Sequence, residues 1–231
     1  MAFIQDHGAT VADRMRQRLS AEVVVRPPFP YRRELHVSDY YLQTFAERVP
    51  QPDWPPAWQA PATSCAVAEQ KLLSVKNAVR GCWVMHPGSG GVSKNWPLPA
   101  FRQQAEWLRQ QGAAPVFLLG PAEVTMAEAV HALARELMTP VWDNFPLTDC
   151  AALLSRCDGF LGNDAGIAHL AAVLGLPTVA VFVNSDPVMW QPLGSNVSVV
   201  DVRKEKEVVP LPGSEAVQEA LSRWVPLRSN P

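Results

Sequence analysis

Short, unbroken apolar runs separated by longer segments constrain this chain more than any other feature. The runs are Cys82–Met85, Val116–Leu119, Pro140–Trp142, Gly159–Leu161, Thr178–Val183 and Val197–Val200. Apart from Thr178 at the edge of one run and Ser198 within the last, their residues are continuously apolar, which is the mark of strands covered on both faces. The intervening segments are long enough for helices, predicted over 99–111, through Leu137, over 148–156 and through Leu174, with another over 66–79 ahead of the first strand. Strands alternating with helices specify an α/β fold with a Rossmann-like, doubly wound parallel sheet. In such a sheet, ligands sit where loops leave the carboxyl ends of the strands. The loops to read for chemistry are therefore those after Met85, Leu119, Leu161 and Val183.

One seam interrupts the pattern. Residues 50–61 contain five prolines, and neither a helix nor a central strand can run through such a stretch. It reads as an extended linker, dividing the chain into 1–61 and 62–231. Ahead of it the sequence predicts a helix over 9–19, a short strand at Val23–Val25 and a helix from Ser38 to Arg48, too little for a complete domain.

Composition narrows the function. Of the 231 residues 48% are hydrophobic, enough for a substantial core, and the net charge is −2 with no long run of one sign. That balance argues against nucleic acid as a partner, so a phosphate would need a specific pocket. The four cysteines lack metal-type spacing, and Cys82, Cys150 and Cys157 read as small buried hydrophobes. No metal and no cofactor is expected. The N-terminus lacks the basic and apolar regions of a signal peptide, and no stretch approaches the ~20 apolar residues of a membrane span. A soluble, cytoplasmic protein is expected.

The loop after the first strand reads His86-Pro87-Gly88-Ser89-Gly90-Gly91-Val92-Ser93-Lys94-Asn95-Trp96-Pro97. Glycines allow backbone N–H groups to approach an anion closely. Ser89, Ser93 and Lys94 add hydroxyls and a positive charge. The spacing matches neither the P-loop nor the dinucleotide fingerprint, so the reading is a diphosphate cradle, with an ordinary glycine-rich turn as the structural alternative. After the second strand, Glu123 is placed either to accept from ribose hydroxyls or to cap a helix. After the fourth strand comes Asn163-Asp164-Ala165-Gly166-Ile167-Ala168-His169. There a strand turns into a helix whose N-terminus is a ready anion site. Asp164 suits that helix's N-cap, and His169 follows on the first turn. Beyond the fifth strand, Trp190 and its neighbours read as packing residues at the domain's edge.

Taken together, H-P-G-S-G-G-V-S-K-N-W-P, L-L-G-P-A-E, N-D-A-G-I-A-H-L-A-A-V-L-G-L-P-T-V-A-V-F and W-Q-P-L-G resemble the bacterial ADP-heptose:lipopolysaccharide heptosyltransferases, family nine of the glycosyltransferases. The resemblance covers residues 82–202, and Tyr40-Tyr41-Leu42-Gln43 is similar to the family's exit from its N-terminal domain. It implies the C-terminal half of a GT-B architecture, in which two Rossmann-like domains face one another, preceded here by a short N-terminal remnant. It also implies an inverting, metal-independent transfer of a heptose-like sugar from an ADP-sugar donor to a lipopolysaccharide-core-type acceptor. The diphosphate would meet Ser89, Gly90, Ser93 and Lys94, the ribose Glu123, and the donor site would be lined by Asp164, Ala165, Gly166 and His169. Lys94 would stabilise charge on the leaving diphosphate.

Two departures accompany the resemblance. Ala165 stands where the family often has Ser or Thr, so one hydroxyl contact is lost while the backbone donors remain. The family's acceptor-activating aspartate lies near the start of its N-terminal domain; Asp6, Asp13 and Asp39 occupy no recognisable version of that site, and the general base is unassigned. The resemblance thus leaves two other readings open: a non-catalytic nucleotide- or nucleotide-sugar-binding remnant, and a GT-B enzyme using a UDP- or GDP-sugar. It also predicts exposed apolar surface that drives self-association or pairing with a partner chain, and peripheral inner-membrane association.

Overall fold

A computed structural model describes residues 2–3, 10–18, 24–30, 34–45, 58–75, 81–203 and 211–225. The chain groups into two compact units, residues 1–51 with 188–190, and residues 52–187 with 191–231.

In the first unit, β1 (Ala2–Phe3) pairs in parallel with β2 (Val25–Arg26). Helix α1 spans Thr10–Arg18 and α2 spans Val37–Phe45. Both tyrosines of the Tyr40-Tyr41 motif tie α2 to the segment after β2. Tyr40 donates its hydroxyl to the Pro27 carbonyl at 2.9 Å, and Tyr41 donates to that of Pro28 at 2.7 Å. Trp190 packs its ring edge-on against Phe29 at 5.1 Å, the packing role that the sequence suggested. The expected residues 9, 19 and 46–48 at the helix ends, Val23 and most of the proline-rich seam lie outside the described residues.

The second unit holds the sheet. Helix α3 (Ala62–Leu72) leads to β3 (Cys82–His86), α4 (Leu98–Gln110), β4 (Ala114–Leu119), α5 (Val124–Glu136), β5 (Val141–Asp143), α6 (Leu147–Leu154) and β6 (Gly159–Asn163). The unit continues through α7 (Gly166–Val173), β7 (Thr178–Phe182), β8 (Val197–Asp201) and α9 (Ser214–Ser222), while α8 (Pro187–Trp190), between β7 and β8, groups through residues 188–190 with the first unit. The six strands are all parallel, in the order β5-β4-β3-β6-β7-β8. The expected doubly wound parallel sheet is therefore present. Its strand order reverses between β3 and β6: the chain moves outward from β3 through β4 and β5, then returns to β6 on the other side.

Residues alternate between two cores along each strand. Trp83, Met85, Phe117, Leu119 and Leu161 face the layer of α4, α5 and α9. Cys82, Val84, Val116, Leu118 and Phe160 face the layer of α3, α6 and α7. This two-sided burial is why the strand sequences are apolar without alternation. Each buried aromatic removes roughly 150–250 Å² from water, on the order of 4–6 kcal/mol at about 25 cal/mol per Å². Cys82 and Cys150 are buried and Cys157 is partly buried, all as free thiols. Burial pushes the Cys150 thiol up to about 11, and the adjoining Cys82 thiol, with burial, pushes Cys157 up as well. Thiols so shifted are poor nucleophiles, as expected of core residues.

Candidate functional site

The strand order reverses at the carboxyl ends of β3 and β6, where an open α/β sheet leaves a crevice. Two of the sequence-predicted loops leave the sheet there. The loop of residues 87–97 follows β3, and residues 164–165 join β6 to α7.

The β3 loop folds on itself around Ser89. Its buried Oγ lies 2.7 Å from both the Gly91 carbonyl and Asn95 Oδ1, and it accepts the Gly91 N–H at 3.2 Å. Its single proton is thus used within the loop. A short 3₁₀ turn over Val92–Lys94 follows, and it presents Ser93 and Val92 to solvent. Lys94 reaches across to the β6 loop, donating to Asp164 Oδ2 at 2.8 Å. The carboxylate is buried while the lysine side chain is 38% exposed. Ser185, after β7, donates to the same oxygen at 2.6 Å, and His169 Nε2 stands 4.0 Å from the other. Lys94, Asp164 and His169 are therefore brought together, and Ser185 joins them.

Asp164 does not cap α7. Ala165 holds the N-cap in an extended conformation and provides no side-chain cap hydrogen bond. Gly166, the first residue of the helix, is exposed, with open space beside its Cα. Among the described residues the positive end of α7 has no side-chain cap, and it lies two residues from Lys94's partner, which suits it to an anion.

Glu123 takes its helix-capping role. Its buried carboxylate accepts the Gly120 N–H through Oε2 at 2.8 Å. Oε1 faces His86 Nε2 at 3.6 Å, and His86 Nδ1 donates to the Leu118 carbonyl at 2.9 Å. Burial holds the His86 imidazole below its ordinary value, opposed by the Leu118 bond and by Glu123. Gly88 lies directly on Glu123: a Cβ at Gly88 would fall 2.2 Å from Glu123 Cγ, so only glycine permits that approach.

Sequence reading gave no role to Ser185, nor to Asn163. Asn163, fully buried at the end of β6, accepts the Trp96 N–H at 2.9 Å. It also donates to the carbonyls of Pro87 at 2.8 Å and Gly88 at 3.2 Å. A lone amide at the end of an apolar strand was the available signal. Gly90 is exposed, and a Cβ there would meet nothing within 4 Å. Among the described residues, no group of three or more His, Cys, Asp and Glu side chains could hold a metal ion, and no helix is long and apolar enough to cross a membrane.

The reversed strand order, with charged and glycine-rich loops at the reversal, places the chain among doubly wound α/β proteins. A model of glycosyltransferase family 9 (heptosyltransferase) matches residues 7–210, and the chain belongs to that family. Lipopolysaccharide core heptosyltransferase OpsX of Haemophilus influenzae is 27% identical over 186 residues, covering 78% of this chain and 51% of that protein. Lipooligosaccharide heptosyltransferase 2 of the same organism is 26% identical over 151 residues, 63% of this chain and 42% of the relative. The chain thus spans about half the length of the curated relatives it matches. Among solved structures, a family 9 glycosyl transferase from Veillonella parvula superposes with a TM-score of 0.72 at 20% identity, covering 88% of this chain and 63% of that one. The E. coli heptosyltransferase WaaC, solved with ADP, gives a TM-score of 0.61 at 20% identity, covering 86% and 59%. At that identity the two structures speak to the fold.

Proposed function

We propose that this chain binds an ADP-sugar at the carboxyl ends of β3 and β6 and takes part in transferring a heptose-like sugar to a lipopolysaccharide-core-type acceptor. The observation that carries this reading is the Lys94–Asp164 pair beside the uncapped start of α7, in a chain of the heptosyltransferase family. A structural neighbour solved with ADP supports the choice of nucleotide.

In this reading the diphosphate lies between Gly90–Lys94 and the N-terminus of α7. Lys94 and the N–H groups at Gly166 meet the charge that grows as the sugar–oxygen bond breaks, the type of stabilisation that usually contributes most. The acceptor oxygen attacks the anomeric carbon from the opposite side, inverting it, without a metal. Asp164, Ala165 and His169 line the sugar side. Ser89 shapes the loop from within, with Ser93 at its open rim. Glu123 meets the ribose once Oε1 turns from beneath Gly88. No general base is assigned. Asp13 is exposed and paired with Arg16 at 2.9 Å, Asp39 is exposed on α2, and Asp6 lies outside the described residues.

The reaction is placed in the cytoplasm, peripheral to the inner membrane. Val92 in the loop after β3, Val124 at the start of α5 and Leu147 at the start of α6 are 80%, 74% and 69% exposed. Self-association, or pairing with a partner chain, through apolar side chains of this kind is part of the proposal, to be checked by sizing the protein in solution.

Parallel calorimetric titrations of ADP-heptose, ADP, UDP and GDP test the reading. Micromolar binding of the adenine nucleotides, with UDP and GDP at least tenfold weaker, is the expected result. Equal binding of all four, or none, contradicts the ADP-sugar assignment. Transfer of radiolabelled heptose to a heptose-free core acceptor then separates turnover from binding alone.

A further inference from the structure

We infer that Asn163 is a positioning residue for the diphosphate, its one amide closing both ends of the phosphate loop; this rests on the nucleotide-site reading above. The loop leaves β3 at Pro87 and returns to the core at Trp96, and both points bond to the same side chain. Asn163 Nδ2 donates to the Pro87 and Gly88 carbonyls, at 2.8 and 3.2 Å, and Oδ1 accepts the Trp96 N–H at 2.9 Å. The amide's orientation is fixed by its partners, because a carbonyl can only accept and a backbone N–H can only donate. Trp96 is itself anchored, with its ring buried against Phe101 and its indole N–H donated to the Pro212 carbonyl at 2.6 Å.

The middle of the loop has no comparable support. Gly90, Val92 and Ser93 are exposed, and Gly90 and Gly91 border open space. A glycine-rich segment of this kind has many conformations, and ordering it on a ligand lowers affinity. Holding both ends on a rigid strand terminus removes much of that freedom in advance. The next residue along, Asp164, holds Lys94, so the end of β6 grips the loop at its start, its cationic side chain and its finish. Asn163 touches no ligand in this scheme; it sets where Lys94 and the loop N–H groups stand.

Asn163→Leu tests this with little change in shape and no new charge. The side chain can neither accept the Trp96 N–H nor donate to Pro87 and Gly88. ADP affinity is expected to fall at least tenfold, while adenosine affinity, which does not draw on the diphosphate contacts, changes less than twofold. Equal losses for ADP and adenosine, or no loss for either, would overturn the inference while leaving the nucleotide site standing. Failure of the unaltered protein to bind ADP overturns both. Hydrogen exchange on the unaltered protein gives a second reading should the variant not fold. The Trp96 amide should exchange at least a hundredfold more slowly than those of Gly90 and Ser93, and comparable rates would overturn the anchoring.

Discussion

The two ends of the β3–β6 seam each carry an aspartate, and the two are used in opposite ways. At the amino end, Asp158 is exposed, and its carboxylate accepts the buried Cys82 N–H at 2.7 Å while its own N–H reaches the Cys82 carbonyl. At the carboxyl end, Asp164 is buried, and its partners are the side chains of Lys94 and Ser185. Backbone partners cannot leave without unfolding the strand ends. Side-chain partners can rotate away and be exchanged for a ligand. The same residue type therefore closes the sheet at one end and leaves exchangeable charge at the other.

The largest expected effect lies at the closed end. Gly81 has φ +85°, and a Cβ there would fall 2.2 Å from the Asp158 carboxyl carbon. Gly81→Ala combines a left-handed backbone penalty with displacement of Asp158 from the Cys82 N–H. We expect it to lower the unfolding free energy by about 2–3 kcal/mol, read by urea denaturation, with ADP affinity unchanged. A tenfold loss of ADP affinity in the folded variant would erase the distinction between the two ends.

Asp164→Asn should act the other way. An amide oxygen in the same place still accepts from Lys94 and keeps it in position, but no longer neutralises it, so ADP should bind a few-fold more tightly, on the order of 0.5–1 kcal/mol for a partly exposed pair, and stability should barely move. Titration at low ionic strength would show this most clearly. A loss of tenfold or more would mean that the carboxylate itself contacts ADP.

A smaller effect concerns His86, beneath the loop. Its imidazole is held below the ordinary 6.5 by burial, so near and below that pH the unfolded chain binds a proton that the folded chain resists. Folded stability should therefore decline as pH falls below about 6.5. In His86→Gln the part of that decline due to this residue disappears, giving a shallower dependence of Tm on pH between 7.5 and 5.5. An unchanged slope would mean that His86 takes up its proton without penalty.

Much of the fold was legible because strand burial writes itself directly as apolar runs. Each of the six expected strands overlaps an observed one. The boundaries moved where proline intervened. The expected helix over 66–79 begins instead at Ala62, with Pro61 as its N-cap at ψ 146°; α-helix gives way to a 3₁₀ turn after Leu72, and 76–79 lie outside the described residues. The third strand starts at Val141, since Pro140 has no N–H and serves only as acceptor for Phe117. The loops carrying Lys94, Asp164 and His169 were found from residue type and position at strand ends. Their pairing was not, because Lys94 and Asp164 are 70 residues apart, and only the strand order makes them neighbours. Asn163 escaped for the same reason: its partners, 67 and 76 residues away, are backbone atoms that no side-chain motif records.

The most direct test of a diphosphate site at the open end is titration of ADP into the unaltered protein and into Lys94→Ala. Micromolar binding that weakens by tenfold or more in the variant, about 1.5–3 kcal/mol for one charged hydrogen bond, is the predicted result. Equal affinity for the two proteins, or no binding to either, would contradict it.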